Sequence, residues 1–285
     1  MNISIIIPAH NEEQALPALI TGIRQHVSDA EIIVIDDGST DETADRAQLA
    51  GARVINHPYK IGNGAAVKTG MRHATGDIIV VMDGDGQHDP ADIPAMLEHS
   101  DDYDMIVGAR SRGAHANILR LFVNALYNFL ASYVTKFAIK DLTSGFRVLK
   151  RETAVRYVCL LPNTFSYPTT ITLAFLRSGR SIKYIPITVH KRIGKSKIRI
   201  LHDGFRFLLI IIKITTLYSP LHVFLPVSAI LFLMGTTNYL YWFITETRFT
   251  NMSVMCILSS LMIFLMGLIS EQITQMRYDR IENGG

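Results

Sequence analysis

The sequence predicts an α/β domain on a mainly parallel sheet, followed by an amphipathic segment and a pair of membrane-spanning helices. Short apolar or β-branched runs alternate with helix-compatible stretches over residues 1–199, and polar, glycine-containing loops follow several of those runs. Two long uncharged stretches then occupy residues 221–244 and 252–270.

The runs at 3–7, 31–35, 53–55, 77–82 and 104–107 have the composition of strands buried on both faces. Stretches 12–27 and 41–50 between them suit helices. Ser39 or Thr40 is placed to cap the second, with Asp41 and Glu42 in its first turn. After Arg112 the chain reads as a loop, a helix over 118–137 and a short strand over 146–149. A loop bracketed by Pro162 and Pro168 precedes a last strand at 181–185. The segment 191–199 is basic. Residues 200–219 have a helical, largely apolar pattern broken by Asp203, Arg206 and Lys213, as expected of a helix lying on a membrane surface.

Both uncharged stretches reach the roughly 18 apolar residues that suggest a span, and a helix pair inside a soluble bundle would show a polar stripe. Arg199, Arg206 and Lys213 precede them, Arg277 and Arg280 follow, and the connecting loop holds Arg248 alone. That asymmetry predicts a two-span membrane protein with both hairpin ends in the cytoplasm. The apolar run before Pro8 is too short for a signal-peptide core, which places the N-terminal domain in the cytoplasm as well. The expected divisions are a catalytic domain (1–199), an interfacial helix (200–219), the hairpin (220–275) and a cytoplasmic tail (276–285). Cys159 and Cys256 form no disulfide or zinc framework, and a net charge of +3 gives no support for nucleic-acid binding. A homo-oligomer is left open.

In such sheets ligands sit beyond the carboxyl ends of the strands. Residues 8–12 follow the first strand, Asp36 and Asp37 the second, 83–88 the fourth and 109–112 the fifth, so four loops converge on one edge. Asp83 and Asp85 stand at alternate positions just past a buried strand, and oxygen ligands of that kind suit Mg²⁺ or Mn²⁺. Gly84 and Gly86 let the backbone approach a ligand closely.

The motifs Pro8-Ala9-His10-Asn11-Glu12-Glu13, Ile35-Asp36-Asp37-Gly38-Ser39-Thr40-Asp41, Gly62-Asn63-Gly64-Ala65-Ala66, Gly76-Asp77 and Asp83-Gly84-Asp85-Gly86-Gln87 occur in series. In order and spacing they resemble family 2 glycosyltransferases with the GT-A fold, a Rossmann-like architecture. Asp141-Leu142-Thr143-Ser144-Gly145-Phe146-Arg147 and Arg192-Ile193-Gly194-Lys195-Ser196-Lys197 resemble the dolichol-phosphate mannose synthase group, which includes bacterial polyprenyl-phosphate glycosyltransferases. The likeness covers residues 1 to about 200. It implies that Pro8, His10, Glu12 and Asp37 line the nucleoside pocket, Glu12 near the ribose and Asp37 near the base. Asp83, Asp85 and Gln87 would hold the metal, with Gly84 beside the donor. Arg110 would open an acceptor loop, and Arg192 and Lys197 would meet phosphate groups. The group often carries a second arginine where this chain reads Asn124-Ala125-Leu126; Arg120 could fill that role one turn earlier. Glu13, Asp36 and Asp41 read as capping or solvated residues.

The activity implied is metal-dependent, inverting transfer of a sugar from a UDP- or GDP-sugar to a polyprenyl phosphate, dolichyl or undecaprenyl, at the cytoplasmic face of the bilayer. The acceptor phosphate is largely anionic at neutral pH and needs no strong general base. Asp85, Arg110 and Arg192 would then act by positioning and charge neutralisation. Competing readings are transfer to another acceptor, such as a lipid alcohol or glycan, and a non-catalytic nucleotide-binding membrane scaffold. A processive synthase is disfavoured, because the Gln-x-x-Arg-Trp motif is missing and Trp242 lies in the first apolar stretch.

Overall fold

The computed structural model describes residues 2–110, 125, 128–129, 131–133, 135–163, 167–190, 218–248 and 250–282. The chain divides into two compact units, Met1–Asp203 and Gly204–Gly285.

The first unit is built on a seven-stranded sheet: β1 (Ile3–Ala9), β2 (Glu31–Asp36), β3 (Arg53–Asn56), β4 (Ile78–Val81), β5 (Met105–Arg110), β6 (Arg147–Lys150) and β7 (Ile182–Ile187). Their order across the sheet is β3-β2-β1-β4-β6-β5-β7. Every pairing is parallel except those of β6, which runs antiparallel to both β4 and β5. Among the described residues this unit also carries helices α1 (Leu16–His26), α2 (Thr43–Leu49), α3 (Asn63–His73), α4 (Asp92–Leu97), α5 (Arg151–Arg156) and α6 (Tyr167–Arg177). One core cluster joins Ile5, Ile7, Val34, Val80 and Phe146 from the sheet to Leu16, Ile20 and Ile23 of α1 and Ile93 and Met96 of α4. Each such side chain taken fully out of water stabilises the fold by about 1.5–3 kcal/mol before entropy is counted.

Several expectations need correction. Pro8 and Ala9 belong to β1, and Ala9 backbone O accepts the N–H of Asp37. The ladder to β4 ends at Ile6 and Val81, with Met82 N–H donating to Ile6 O. Pro8 has no N–H with which to extend it, so β1 and β4 part there and their loops open outward. Ala109 and Arg110 likewise lie in β5. α1 begins at Leu16, after a turn in which Leu16 N–H bonds Glu12 O. The N-cap residue of α2 is Glu42, whose side chain makes no capping bond, while the Ser39 hydroxyl turns back to Asp36 and Asp41 Oδ1 accepts the first helical N–H, of Thr43. β3 is an edge strand and is not buried on both faces. The predicted 118–137 helix is described only in part, and almost all of 200–219 lies outside the described residues.

The second unit holds two long helices, α7 (Leu221–Glu246) and α8 (Asn251–Glu282). Both are long and apolar enough to cross a membrane. At 1.5 Å per residue they extend about 39 and 48 Å, against a hydrocarbon core of about 30 Å. α8 continues well beyond Ser270, where the uncharged stretch ends. Polar groups tie the pair at both ends. Asn238 Oδ1 accepts the hydroxyls of Thr250 (2.9 Å) and Ser253 (2.8 Å). At the opposite end Glu271 Oε2 accepts Leu221 N–H and Ser219 Oγ–H, each at 3.2 Å, capping the start of α7.

Candidate active site

The carboxyl ends of β1, β2 and β4 carry the predicted donor residues. The β1–α1 and β2–α2 segments are laced together by side-chain bonds. Asn11, in the left-handed region at φ 57°, donates its N–H to Ser39 Oγ (2.9 Å) and accepts Thr40 N–H (2.9 Å). Glu12 N–H reaches Thr43 Oγ1 (2.9 Å), Glu13 N–H reaches Asp41 Oδ2 (3.5 Å), and Glu13 Oε2 receives Glu42 N–H (3.1 Å). Glu12 is thereby fixed through its backbone. His10 beside it has a buried Nδ1 with no hydrogen-bond partner among the described residues.

Asp37 is buried and heavily bonded. His57 Nδ1 lies 2.9 Å from its Oδ1, and the N–H groups of Ile61 (2.9 Å) and Gly62 (2.8 Å) donate to its two oxygens. His57 Nε2 lies 2.9 Å from Thr69 Oγ1 on α3. Asp37 therefore holds the 57–62 loop against α3, and that loop passes closely over Gly38. A Cβ there would lie 2.5 Å from the Tyr59 carbonyl carbon.

Past β4, Asp83 lies against Gly145, where a Cβ would stand 2.6 Å from Asp83 Oδ2. Gly84 packs on the end of β1, 3.1 Å from Pro8 O by the same measure. Asp85 Oδ1 accepts Gln87 N–H (3.2 Å). The loop is pinned to the strand end after β7: His88 bridges Val189, His190 N–H donates to Gln87 O (2.8 Å), and Gln87 Nε2 reaches His190 O (3.4 Å). The chain thus leaves the described residues at His190, tied directly to Gln87.

Two carboxylates and an amide oxygen form an all-oxygen donor set suited to a hard divalent ion. No three His, Cys, Asp or Glu side chains converge on a metal position among the described residues. A cation held here must therefore complete its shell with ligand or water oxygens. The space against Gly145, which a methyl group would fill, leaves the Asp83 carboxylate room to serve.

At the end of β5, Arg110 makes a two-pronged pair with Asp141, Nε to Oδ2 at 2.8 Å and Nη2 to Oδ1 at 2.9 Å, and also reaches Thr143 Oγ1. Asp141 further accepts the N–H groups of Arg110, Thr143 and Ser144. Burial alone would raise the Asp141 carboxyl, but the Arg110 guanidinium and these N–H groups outweigh it and hold it below the usual carboxylate range. The bond to Asp141 in turn raises Arg110. Arg120, Arg192 and Lys197 lie outside the described residues.

Sequence reasoning missed His57, Asp141 and Arg147 as individual site residues. His57 stands alone after β3 with no local signal, whereas the other two were present in the 141–147 motif.

Residues 4–157 match the Glycosyl transferase family 2 profile, and residues 219–276 match the GtrB C-terminal hairpin. An undecaprenyl-phosphate mannosyltransferase of Micrococcus luteus is 28% identical over 212 residues, covering 69% of this chain and 87% of that protein. An undecaprenyl-phosphate 4-deoxy-4-formamido-L-arabinose transferase of Pseudomonas fluorescens is 30% identical over 193 residues; the match covers 60% of this chain and only 56% of that protein. The structure of glucosyl-3-phosphoglycerate synthase from Mycobacterium tuberculosis with Mn²⁺, UDP and glucosyl-3-phosphoglycerate superposes with a TM-score of 0.59 at 24% identity, over 74% of this chain and 79% of that one. The fold is GT-A.

Proposed function

As this chain belongs to glycosyl transferase family 2 and is a sugar-transferring enzyme, we propose that it moves one sugar from a nucleotide-sugar to a polyprenyl phosphate at the cytoplasmic face of a membrane. The observation that carries this reading is the coexistence of an oxygen-rich donor edge (Glu12, Asp37, Asp83, Asp85 and Gln87) with a matched C-terminal hairpin of two long apolar helices. Relatives whose names specify undecaprenyl phosphate as acceptor support it.

In this reading Pro8, His10, Glu12 and Asp37 line the nucleoside pocket, and Gly84 lets the loop lie close to the donor. Asp83, Asp85 and Gln87 hold Mg²⁺ or Mn²⁺, which neutralises the departing diphosphate when bound. Arg110, its guanidinium oriented by Asp141, faces the acceptor phosphate together with Arg192; Arg120 and Lys197 contribute further positive charge. Asp141 is a poor proton acceptor, since a guanidinium and three backbone N–H groups occupy its oxygens. A phosphate acceptor suits such a site because it arrives already ionised. Attack from the face opposite the leaving group inverts the anomeric carbon.

The domain assignments 1–199, 200–219, 220–275 and 276–285 belong to this reading, as does a topology with both hairpin ends cytoplasmic. A tag near Asn251 should be labelled from outside the cell and one at Gly285 should not. The activity itself is tested by offering the purified protein labelled UDP- and GDP-sugars with a polyprenyl phosphate and identifying the lipid product. A metal-dependent lipid-phosphate monosaccharide is expected. Donor consumption with product only on a lipid alcohol or glycan would overturn the acceptor assignment.

A further inference from the structure

Arg147 is the largest fully buried side chain among the described residues, at 0% exposure, and it sits in the middle of the sheet on β6, opposite Val81 of β4 and Val107 of β5. A buried guanidinium ordinarily faces a carboxylate, because removing its charge from water is costly. The hydrogen-bond partners of this one are neutral, and Asp141 acts on it only through space. Nε donates to Ser144 O (2.8 Å), Nη2 to Leu142 O (3.2 Å), and Nη1 to Thr172 Oγ1 (2.7 Å) and Met105 Sδ (3.4 Å). Burial accordingly lowers its pKa.

What the cation secures is the shape of the turn before it. Two carbonyls of that turn point inward to Arg147, while Asp141 gathers the N–H groups of Thr143 and Ser144. Tyr167 Oη–H reaches Gly145 O at 3.3 Å from α6. With carbonyls and N–H groups drawn to different partners, Gly145 is left with its Cα against the Asp83 carboxylate. Only a forked, planar donor can hold two carbonyls two residues apart and still reach α6; a lysine carries the charge without that geometry.

We propose that Arg147 is a positioning residue for the metal site: it fixes the 142–145 turn so that Gly145 sets the orientation of Asp83. This rests on Asp83 being a metal ligand, as proposed above. Groups behind a ligand that set its orientation typically alter metal affinity by about 10- to 100-fold when removed.

The test is Mn²⁺ binding to the full-length protein in detergent, followed by loss of the free-ion EPR signal, with thermal unfolding recorded for each variant. Arg147→Lys and Arg147→Met should weaken Mn²⁺ binding by about tenfold or more. Gly145→Ala, which presses on Asp83 directly and leaves Arg147 untouched, should weaken it similarly, and Arg147→Lys combined with Gly145→Ala should fall short of the product of the two effects. UDP binding without metal should not change. Asp83→Asn is the control for the underlying reading. If it leaves Mn²⁺ affinity intact, the metal assignment fails. If it weakens binding while folded Arg147→Lys retains wild-type affinity, the metal assignment stands and the positioning role is overturned. Should both Arg147 variants fail to fold, Thr172→Val, which removes one anchor of the guanidinium, decides with Gly145→Ala: wild-type Mn²⁺ affinity in both overturns the proposal.

Discussion

The two units of this chain bury opposite kinds of residue. In the catalytic unit Ile5, Ile20, Val80 and Phe175 are fully covered, and the buried polar groups, Asp36, Asp37, Asp141 and Arg147, are bonded in loops or beside the site. In the hairpin the large apolar side chains point outward, with Leu233 63%, Met262 66% and Ile244 79% exposed. The covered positions there are Ser228 and Gly235 on α7 and Ser253, Ser260, Gly267, Thr274 and Tyr278 on α8, all but Tyr278 small. The small ones recur at intervals of seven residues, one stripe on each helix. A Cβ at Gly235 would lie 2.9 Å from Cys256 Cβ, so the backbones approach through small residues. The difference teaches that burial reports the surrounding solvent. Water drives large side chains inward in the first unit, while the two helices of the second, long and apolar enough to cross a membrane, meet through close packing and hydrogen bonds.

The largest effect should come where the first unit breaks its own rule by clustering carboxylates at a strand end. Asp85→Asn replaces a loop carboxylate by a near-isostere and should lower transfer by about 100-fold or more while thermal unfolding stays near wild type, a loss of the size seen when one group stabilising transition-state charge is removed. Near-normal turnover with a full metal requirement would remove Asp85 from the site. Next in size is deletion of the hairpin. A chain ending at Ser219 should bind nucleotide-sugar and glycosylate a short, water-soluble prenyl phosphate, yet lose efficiency toward long-chain acceptor in bilayers. A folded, donor-binding truncate that cannot use the short acceptor would put the hairpin inside the active site and break the comparison.

Packing should separate the units more finely. Ile20→Ala, at 0% exposure on α1, should cost about 2–5 kcal/mol by denaturant unfolding of the catalytic unit. Leu233→Ala, on the outward face of α7, should stay within about 0.5 kcal/mol in detergent. A further change is expected in acid. The depressed carboxyl of Asp141 contributes stability that is complete above the unfolded carboxylate pKa of about 4 and is lost as pH falls through its folded value. Asp141→Asn should therefore unfold a few degrees below wild type at neutral pH, with the gap closing in acid; an equal gap at every pH would mean that the pair with Arg110 adds no stability through its charge.

All seven strands were legible because each carries apolar or β-branched residues in a short run, and the convergence of polar loops at one edge followed from their order alone. Strand ends were misjudged at Pro8 and Arg110, where a strand continues through residues that look like loop because they stand at the edge where the chain meets the site. The reversed direction of β6 leaves no trace in its composition, since Arg147–Lys150 would pair in either sense. Side-chain ties across long separations were also invisible. Asp37 meets His57 20 residues on, and Arg110 meets Asp141 31 residues on, without any periodic signature. Arg147 was hidden for a further reason: an arginine in a short strand reads as a surface residue until its burial is known.

Glu271 has a consequence for the order in which the protein is made. The first turn of α7 is capped by a carboxylate 50 residues downstream, on the other helix. At a synthesis rate of about 5–20 residues per second, that cap emerges about 3–10 s after Leu221. Until then the opening N–H groups of α7 lack this acceptor, and α8 is what supplies it. The start of α7 is therefore complete only once α8 has been made, and a Glu271→Ala chain should show its defect in the yield of paired α7 and α8 before any loss of turnover per folded molecule.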